Sequence, residues 1–402
     1  MPDVIATPNH PIRENSLEAL RCEAVEKLLS SGEGIVRWID NVRDARPGRI
    51  RWAIETTREA NVASTAYALS GIRKMGLFDG VITEADKREG IAWIRSMAVG
   101  NGEFRDPALV DRRSPDWPAD KPWPDSGMSE CNNRYAQSIL ALYGEPEGSP
   151  SPPPPGWPQL GEGPEKALQW IRERPWSENA WGSGSWTAKM MKYLLDWHLE
   201  GHLSLDPVID ALNHVYSIQD PDSGLWGDPS LPLQNRINGT FKLFHFMRAQ
   251  LDLPLRHAEK MIDRVFERLY DPVYEIRCSG CDEFDNWYVV HHARPETGDY
   301  RREEVEKMAA YRIASVLDAY TKPDGGISFL PDSCQQSWVG FDMAPKLPQG
   351  DAMGLGLITS GVSTAVELCG LVGETPWLGL VEDTNAYPQE LKDTITEQIR
   401  LH

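Results

Sequence analysis

The strongest constraint on this chain is a run of helix-length segments with 3.6-residue apolar periodicity, beside an almost complete lack of strand-like alternation. The segments fall near 16–31, 33–44, 58–75, 83–98, 128–143, 163–174, 183–199, 204–218, 235–250, 255–270, 284–293, 301–321, 352–373 and 386–400. They come in pairs that echo one another: KREGIAWIRSM (87–97) and PEKALQWIRER (164–174) share a Trp-Ile-Arg core at Trp93 and Trp170. Such self-similarity signals one supersecondary unit that buries its apolar face only against its neighbours. A chain of 402 residues suffices for six or seven such hairpins around one core. The expected fold is all-α: one α/α toroid over 1–402, with parallel inner helices around a lumen and outer helices returning outside.

The loops are long for a helical bundle. Residues 99–127 and 144–163 are Pro-rich and read as insertions rather than linkers, and 328–351 is similar. Loops of that length are usually functional or disordered. Trp117, Trp123, Trp157, Trp176, Trp181, Trp226 and Trp338 sit in or beside loops, and disordered segments are poor in aromatics. Segments 99–127, 178–186, 220–238, 282–300 and 332–351 are therefore expected to gather at one rim of the toroid.

The stretch 220–250 carries the clearest functional signal. At 100° per residue, Asn235, Asn238, Lys242 and His245 fall within an arc of roughly 80°, flanked by Phe241 and Phe246. Ile237, Leu243, Phe244 and Met247 cover most of the remaining surface. A helix with one narrow polar line among apolar faces suits a buried helix whose wet line faces a cavity. A second polar concentration, 278–302, holds Asp282, Glu283, Asp285, Trp287, Tyr288, His291, His292, Arg294, Tyr300, Arg301 and Arg302 and reads as a hairpin opening.

Composition narrows the partners. A net charge of −19 argues against nucleic acid and anionic membranes. No segment approaches the roughly 20 apolar residues of a membrane span. The N-terminus MPDVIATPNHPIREN has no apolar signal region, so the expected compartment is the cytoplasm, or the periplasm or exterior if a signal once preceded it. Six cysteines are too few for a disulfide framework. The lone Cys278-Ser-Gly-Cys281 pair does not make a zinc site, and neither a metal nor another cofactor is expected.

The Gly-Leu-Trp-Gly turn at 224–227 and the Asp-Gly-Gly-Ile-Ser-Phe turn at 324–329 resemble those of the terpenoid-cyclase and prenyltransferase toroid, and of toroidal glycan-processing enzymes. The resemblance implies architecture more than chemistry. The Asp-x-Asp-Asp and Asp-Asp-x-x-Asp patterns of terpenoid chemistry are missing, which leaves a terpenoid-cyclase-like or non-catalytic glycan-binding toroid as a remote alternative. Hydrolysis of a glycosidic bond needs a carboxyl pair, which Asp222, Asp228, Asp282, Glu283, Asp285 and Asp351 are available to supply.

β-Elimination at a uronic acid requires a base and neutral or cationic groups that hold the carboxylate. The set Asn238, His245, Arg294 and Tyr300 resembles that of toroidal polysaccharide lyases acting on alginate or glucuronan. The resemblance implies a lyase for an anionic oligo- or polysaccharide. Tyr300 is then the base, and Asn238, His245 and Arg294 hold the carboxylate. Trp226 and Trp287 would stack on sugar rings, and Arg236, Lys242 and Asp285 would orient neighbouring groups. Asn235, Trp186 and His291 complete the expected substrate contacts.

Overall fold

The computed structural model describes residues 10–100, 102–109, 125–145, 153–154, 156–380 and 387–399. Trp117, Trp123 and most of the long 99–127 segment lie outside the described residues. The helices are α1 (Pro11–Glu14), α2 (Leu17–Val42), α3 (Val62–Lys74), α4 (Phe78–Val81), α5 (Glu84–Ser96), α6 (Asp125–Leu142), α7 (Pro164–Arg172) and α8 (Ala180–Leu199). They continue with α9 (Asp206–Ser217), α10 (Leu233–Met247), α11 (Ala258–Leu269), α12 (Pro272–Arg277), α13 (Gly280–Ala293), α14 (Arg302–Tyr320), α15 (Ala352–Leu368) and α16 (Gln389–Gln398). Extended structure among the described residues comprises two antiparallel two-stranded ribbons, Ala98–Gly100 with Glu103–Phe104 and Ser337–Trp338 with Phe341–Asp342, and three isolated bridges. The protein is all-α, as its periodicity predicts.

Two boundaries differ from the sequence reading. The segments near 16–31 and 33–44 form one helix, α2, which passes through Gly32 and Gly34. Gly34 serves close approach rather than a break, since a Cβ there would sit 3.2 Å from the Gly325 carbonyl oxygen. The second difference moves the candidate site. Ser279 caps α13 with a reciprocal bond to Asp282, so the helix begins at Gly280. The stretch read as a hairpin opening is thus largely an internal helix, and Arg294 and Tyr300 fall at or beyond its C-terminal end.

Many of the polar residues that open helices are caps. Asn61, Asn179, Ser279 and Asp351 each accept a backbone N–H of the first turn they precede. Asn235 caps its neighbour instead: its side-chain oxygen accepts from the Ala180 N–H at the start of α8.

Six helices lie side by side in the order α8, α10, α13, α15, α3, α6. Glycine sets the close spacing between several of them. A Cβ at Gly239 of α10 would lie 2.5 Å from the Ala180 carbonyl oxygen of α8. At Gly356 of α15 a Cβ would lie 2.7 Å from the Tyr67 ring of α3, and at Gly361 it would meet Glu283 of α13 at 3.2 Å. α10 and α13 run parallel: Asn238 meets Asp282 near their N-termini, His245 meets Tyr288 further along, and Arg248 reaches the His292 carbonyl near their C-termini. α11 packs on both α10 and α13, α7 and α9 pack on α8, and α14 lies between α2 and α15. Leu243, Phe244, Met247, Trp287, Val289 and Val290 are all fully buried between these layers. Each such side chain contributes roughly 1.5–3 kcal/mol of hydrophobic stabilisation.

Candidate functional site

The polar line predicted on α10 exists, and a matching line faces it from α13. On α10 it runs Asn238, Lys242, His245; on α13, spacings of four, three and four residues put Cys281, Asp285, Tyr288 and His292 on one face. The two lines touch. Asn238 donates to Asp282 at 3.2 Å, and the Tyr288 hydroxyl lies 3.4 Å from His245 Nδ1. The His245 and Tyr288 rings are 4.9 Å apart, and His292 lies 4.4 Å beyond Tyr288. Phe241 stands edge-on to His245 at 4.5 Å, to Tyr288 at 4.9 Å and to Phe284 at 5.1 Å, forming an aromatic floor.

Lys242 is the centre of charge. It keeps some accessible surface, yet protein surrounds it closely enough for burial to hold its ammonium pKa below the ordinary lysine range. Arg134 of α6 and Lys189 of α8 push the same way, while Asp285 and Cys281 of α13 oppose them. Tyr67 of α3 joins the same set: its hydroxyl accepts from that of Tyr135 at 2.5 Å, Tyr135 in turn accepts from Arg134 at 3.0 Å, and Cys281 lies within electrostatic reach of Tyr67. Five of the six neighbouring helices therefore contribute a polar group.

Asp285 is the least satisfied acid in this set. It is 2 % exposed, and its Oδ2 has no hydrogen-bond partner among the described residues. Burial raises its carboxyl pKa well above the usual range, although the charge of Lys242 opposes that rise. A neutral acid beside a weakly basic amine is the state favoured for the pair. Burial also raises the Cys281 thiol, which makes it an inert wall rather than a nucleophile.

Several sequence-predicted residues lie elsewhere. Tyr300 donates to both carboxylate oxygens of Asp263, at 2.9 and 3.0 Å, beside the Arg301–Asp263 ion pair on α11. Burial and the Asp263 carboxylate push its phenol up to about 12, the wrong direction for a base. Arg294 donates to the Gly298 carbonyl and shares with His291 and Arg21 a surface depression of about 370 Å³. A larger depression, about 740 Å³, is bordered by Arg13, Tyr270 and the paired charges of Arg301 and Glu304. Neither includes a residue of the facing α10 and α13 lines, and we place the candidate site between those lines because Asp285 Oδ2 is buried there without a hydrogen-bond partner among the described residues, although His245 at the end of the line is exposed.

Trp226 and Trp287 are corrected from stacking surfaces to core residues. Both are fully buried; their indole N–H groups donate to the Val215 carbonyl and to Glu283. Arg236 is equally structural, bonded to Asp220 and Ser223 across the Gly-Leu-Trp-Gly turn. Trp186 remains exposed near the start of α8, its ring 5.7 Å from the Arg174 guanidinium. No protein-family model matches this chain, and no curated protein is significantly similar to it. Among the described residues no helix is long and apolar enough to cross a membrane, and no cluster of His, Cys, Asp and Glu has metal-binding form.

Proposed function

We propose that the six neighbouring helices close into a toroid, with α6 returning to α8, and that its lumen is the active site of a polysaccharide lyase. The observation that carries this reading is that the charges of Lys189 on α8 and Arg134 on α6 both reach Lys242 on α10, in a chain of net charge −19. Local cationic charge against the global sign suits a bound carboxylate. In β-elimination the uronate carboxylate must be neutralised so that the enediolate formed by removing the α-proton is tolerated. Lys189 and Arg134 hold that carboxylate, and a protonated Asp285 adds a hydrogen-bond donor. Tyr288, in contact with His245, replaces Tyr300 as the base, and Asn238 orients the ring. Trp186 offers an exposed stacking face. Elimination of this kind uses no cofactor.

The carboxyl-pair hydrolase is less well supported because its candidates other than Asp285 and the exposed Asp222 are already engaged. Asp282 and Asp351 cap helices, Asp228 accepts from the Ser230 N–H, and Glu283 is bound by Arg312 and Trp287. Asp285 alone lacks a second carboxylate free to work with it. An alkene-protonating cyclase would find a neutral acid and aromatic walls here, but the Lys189 and Arg134 cations would oppose a carbocation.

The test is incubation with alginate, glucuronan and polygalacturonate while following the near-ultraviolet absorbance of an unsaturated uronate. Wild type is expected to generate the chromophore on at least one polymer, and Tyr288→Phe to lose at least about a hundredfold in rate. New reducing ends without the chromophore would replace this reading with hydrolysis.

A further inference from the structure

We propose that Lys242 is a carbonyl-capturing amine, forming a reversible imine with small keto or aldehyde acids that enter the interior. Several described lysines are tied to carboxylates, among them Lys27 to Asp318, Lys87 to Glu84, Lys192 to Asp196 and Lys307 to Glu303. Lys242 has no carboxylate within salt-bridge distance among the described residues, and its Nζ rests 4.7 Å from the centre of the Phe241 ring. Lys322 is the internal contrast. Burial lowers its pKa too, but its Nζ donates to the Ala319 and Pro331 carbonyls at 2.8 and 2.6 Å, as a structural ammonium does. Lys242 combines a depressed pKa with accessible surface and no such anchors, and these conditions make a lysine nucleophilic.

The neighbours fit the remaining steps. The neutral Nζ adds to the carbonyl carbon while Asp285 protonates the oxygen, giving a carbinolamine. The ammonium proton then passes to the Asp285 carboxylate. Asp285 returns it to the hydroxyl, the C–O bond breaks, water leaves, the nitrogen lone pair closes the C=N bond as an iminium, and the iminium N–H gives its proton back to the Asp285 carboxylate. Amine plus carbonyl gives imine plus water, with no redox change. Asp285 is suited to this shuttle because Oδ2 is buried and unpartnered. Arg134 and Lys189, whose charges reach Lys242, select carbonyl compounds that carry a carboxylate.

The experiment treats the full chain with pyruvate and cyanoborohydride, which reduces the imine irreversibly, and maps the adducts by peptide mass spectrometry. The expected result is modification of Lys242 at least about tenfold faster than exposed Lys346, since each unit of pKa depression raises the neutral fraction about tenfold near neutral pH. Lys322 stays unmodified, Asp285→Asn slows labelling at Lys242, and acetaldehyde, which lacks a carboxylate, shows a smaller preference for Lys242. Labelling of Lys242 no faster than Lys346 would overturn the proposal, and an equal preference for acetaldehyde would overturn the acid specificity. No polysaccharide is present, so failure here leaves the elimination assay independent.

Discussion

Glu283 and Asp285 stand two residues apart on α13, both buried, and their surroundings are opposite. Glu283 is saturated: Arg312 donates to it at 2.7 and 3.4 Å, Trp287 at 2.9 Å and Tyr274 at 3.1 Å. Asp285 has an oxygen with no partner, and burial raises its pKa. A two-residue step turns a helical side chain by about 200°, so Glu283 points to Arg312 of α14 and Asp285 to the side of Lys242 on α10. A fold that merely tolerated buried acids would treat the two alike. The contrast teaches that the outer knot fixes the helix, whereas the inner acid is left unsatisfied where a ligand can satisfy it.

The largest expected effect is on the outer side. Glu283→Ala strands the Arg312 guanidinium, itself 3 % exposed, and is expected to cost about 3–5 kcal/mol in denaturant unfolding. A cost below about 1 kcal/mol would break the comparison, because Glu283 would then be no better integrated than Asp285. On the inner side the double variant Lys242→Met, Asp285→Leu replaces an incompletely satisfied polar pair with apolar groups. It is expected to be neutral to about 2 kcal/mol more stable while losing elimination activity.

The pH dependence sharpens the same contrast. Because the folded-state pKa of Asp285 is raised, the unfolded chain releases its proton first, at about pH 4. Asp285 therefore contributes stability that is fully present below that pH and lost as pH rises towards its folded pKa. Asp285→Asn should flatten the decline in melting temperature above about pH 4; an unchanged slope would mean that Asp285 is ionised in the fold. The smallest effect is expected from Tyr300→Phe. It removes only a half-exposed bond to Asp263, so stability should change by less than about 1 kcal/mol and activity should persist. Loss of activity in that variant would return the base to the α11–α14 surface.

Most helices were legible because 3.6-residue periodicity survives tertiary context when a helix has a buried face. The line Asn238, Lys242, His245 was legible for the same reason. Its partner on α13 was hidden by one misplaced boundary. With the helix starting at 284 rather than at Gly280, Cys281 stayed outside the line of Asp285, Tyr288 and His292, although the Ser279–Asp282 capping pair marks the true start. Lys189 and Arg134 carried no local signal, since an isolated cation on an amphipathic helix looks like any solvated residue. Only the folded chain brings their charges within reach of Lys242. Trp226 and Trp287 illustrate the converse, because aromatic residues beside polar turns look like binding surfaces until burial shows them to be anchors.

The most direct test of an interior site for carboxylated sugars is the initial rate of unsaturated-uronate formation on a responsive polymer, compared among wild type, Tyr288→Phe and Tyr300→Phe. The account predicts a rate for wild type and Tyr300→Phe that agrees within about twofold, and a loss of at least about a hundredfold for Tyr288→Phe with its fold intact. Full activity in Tyr288→Phe together with loss in Tyr300→Phe would contradict it.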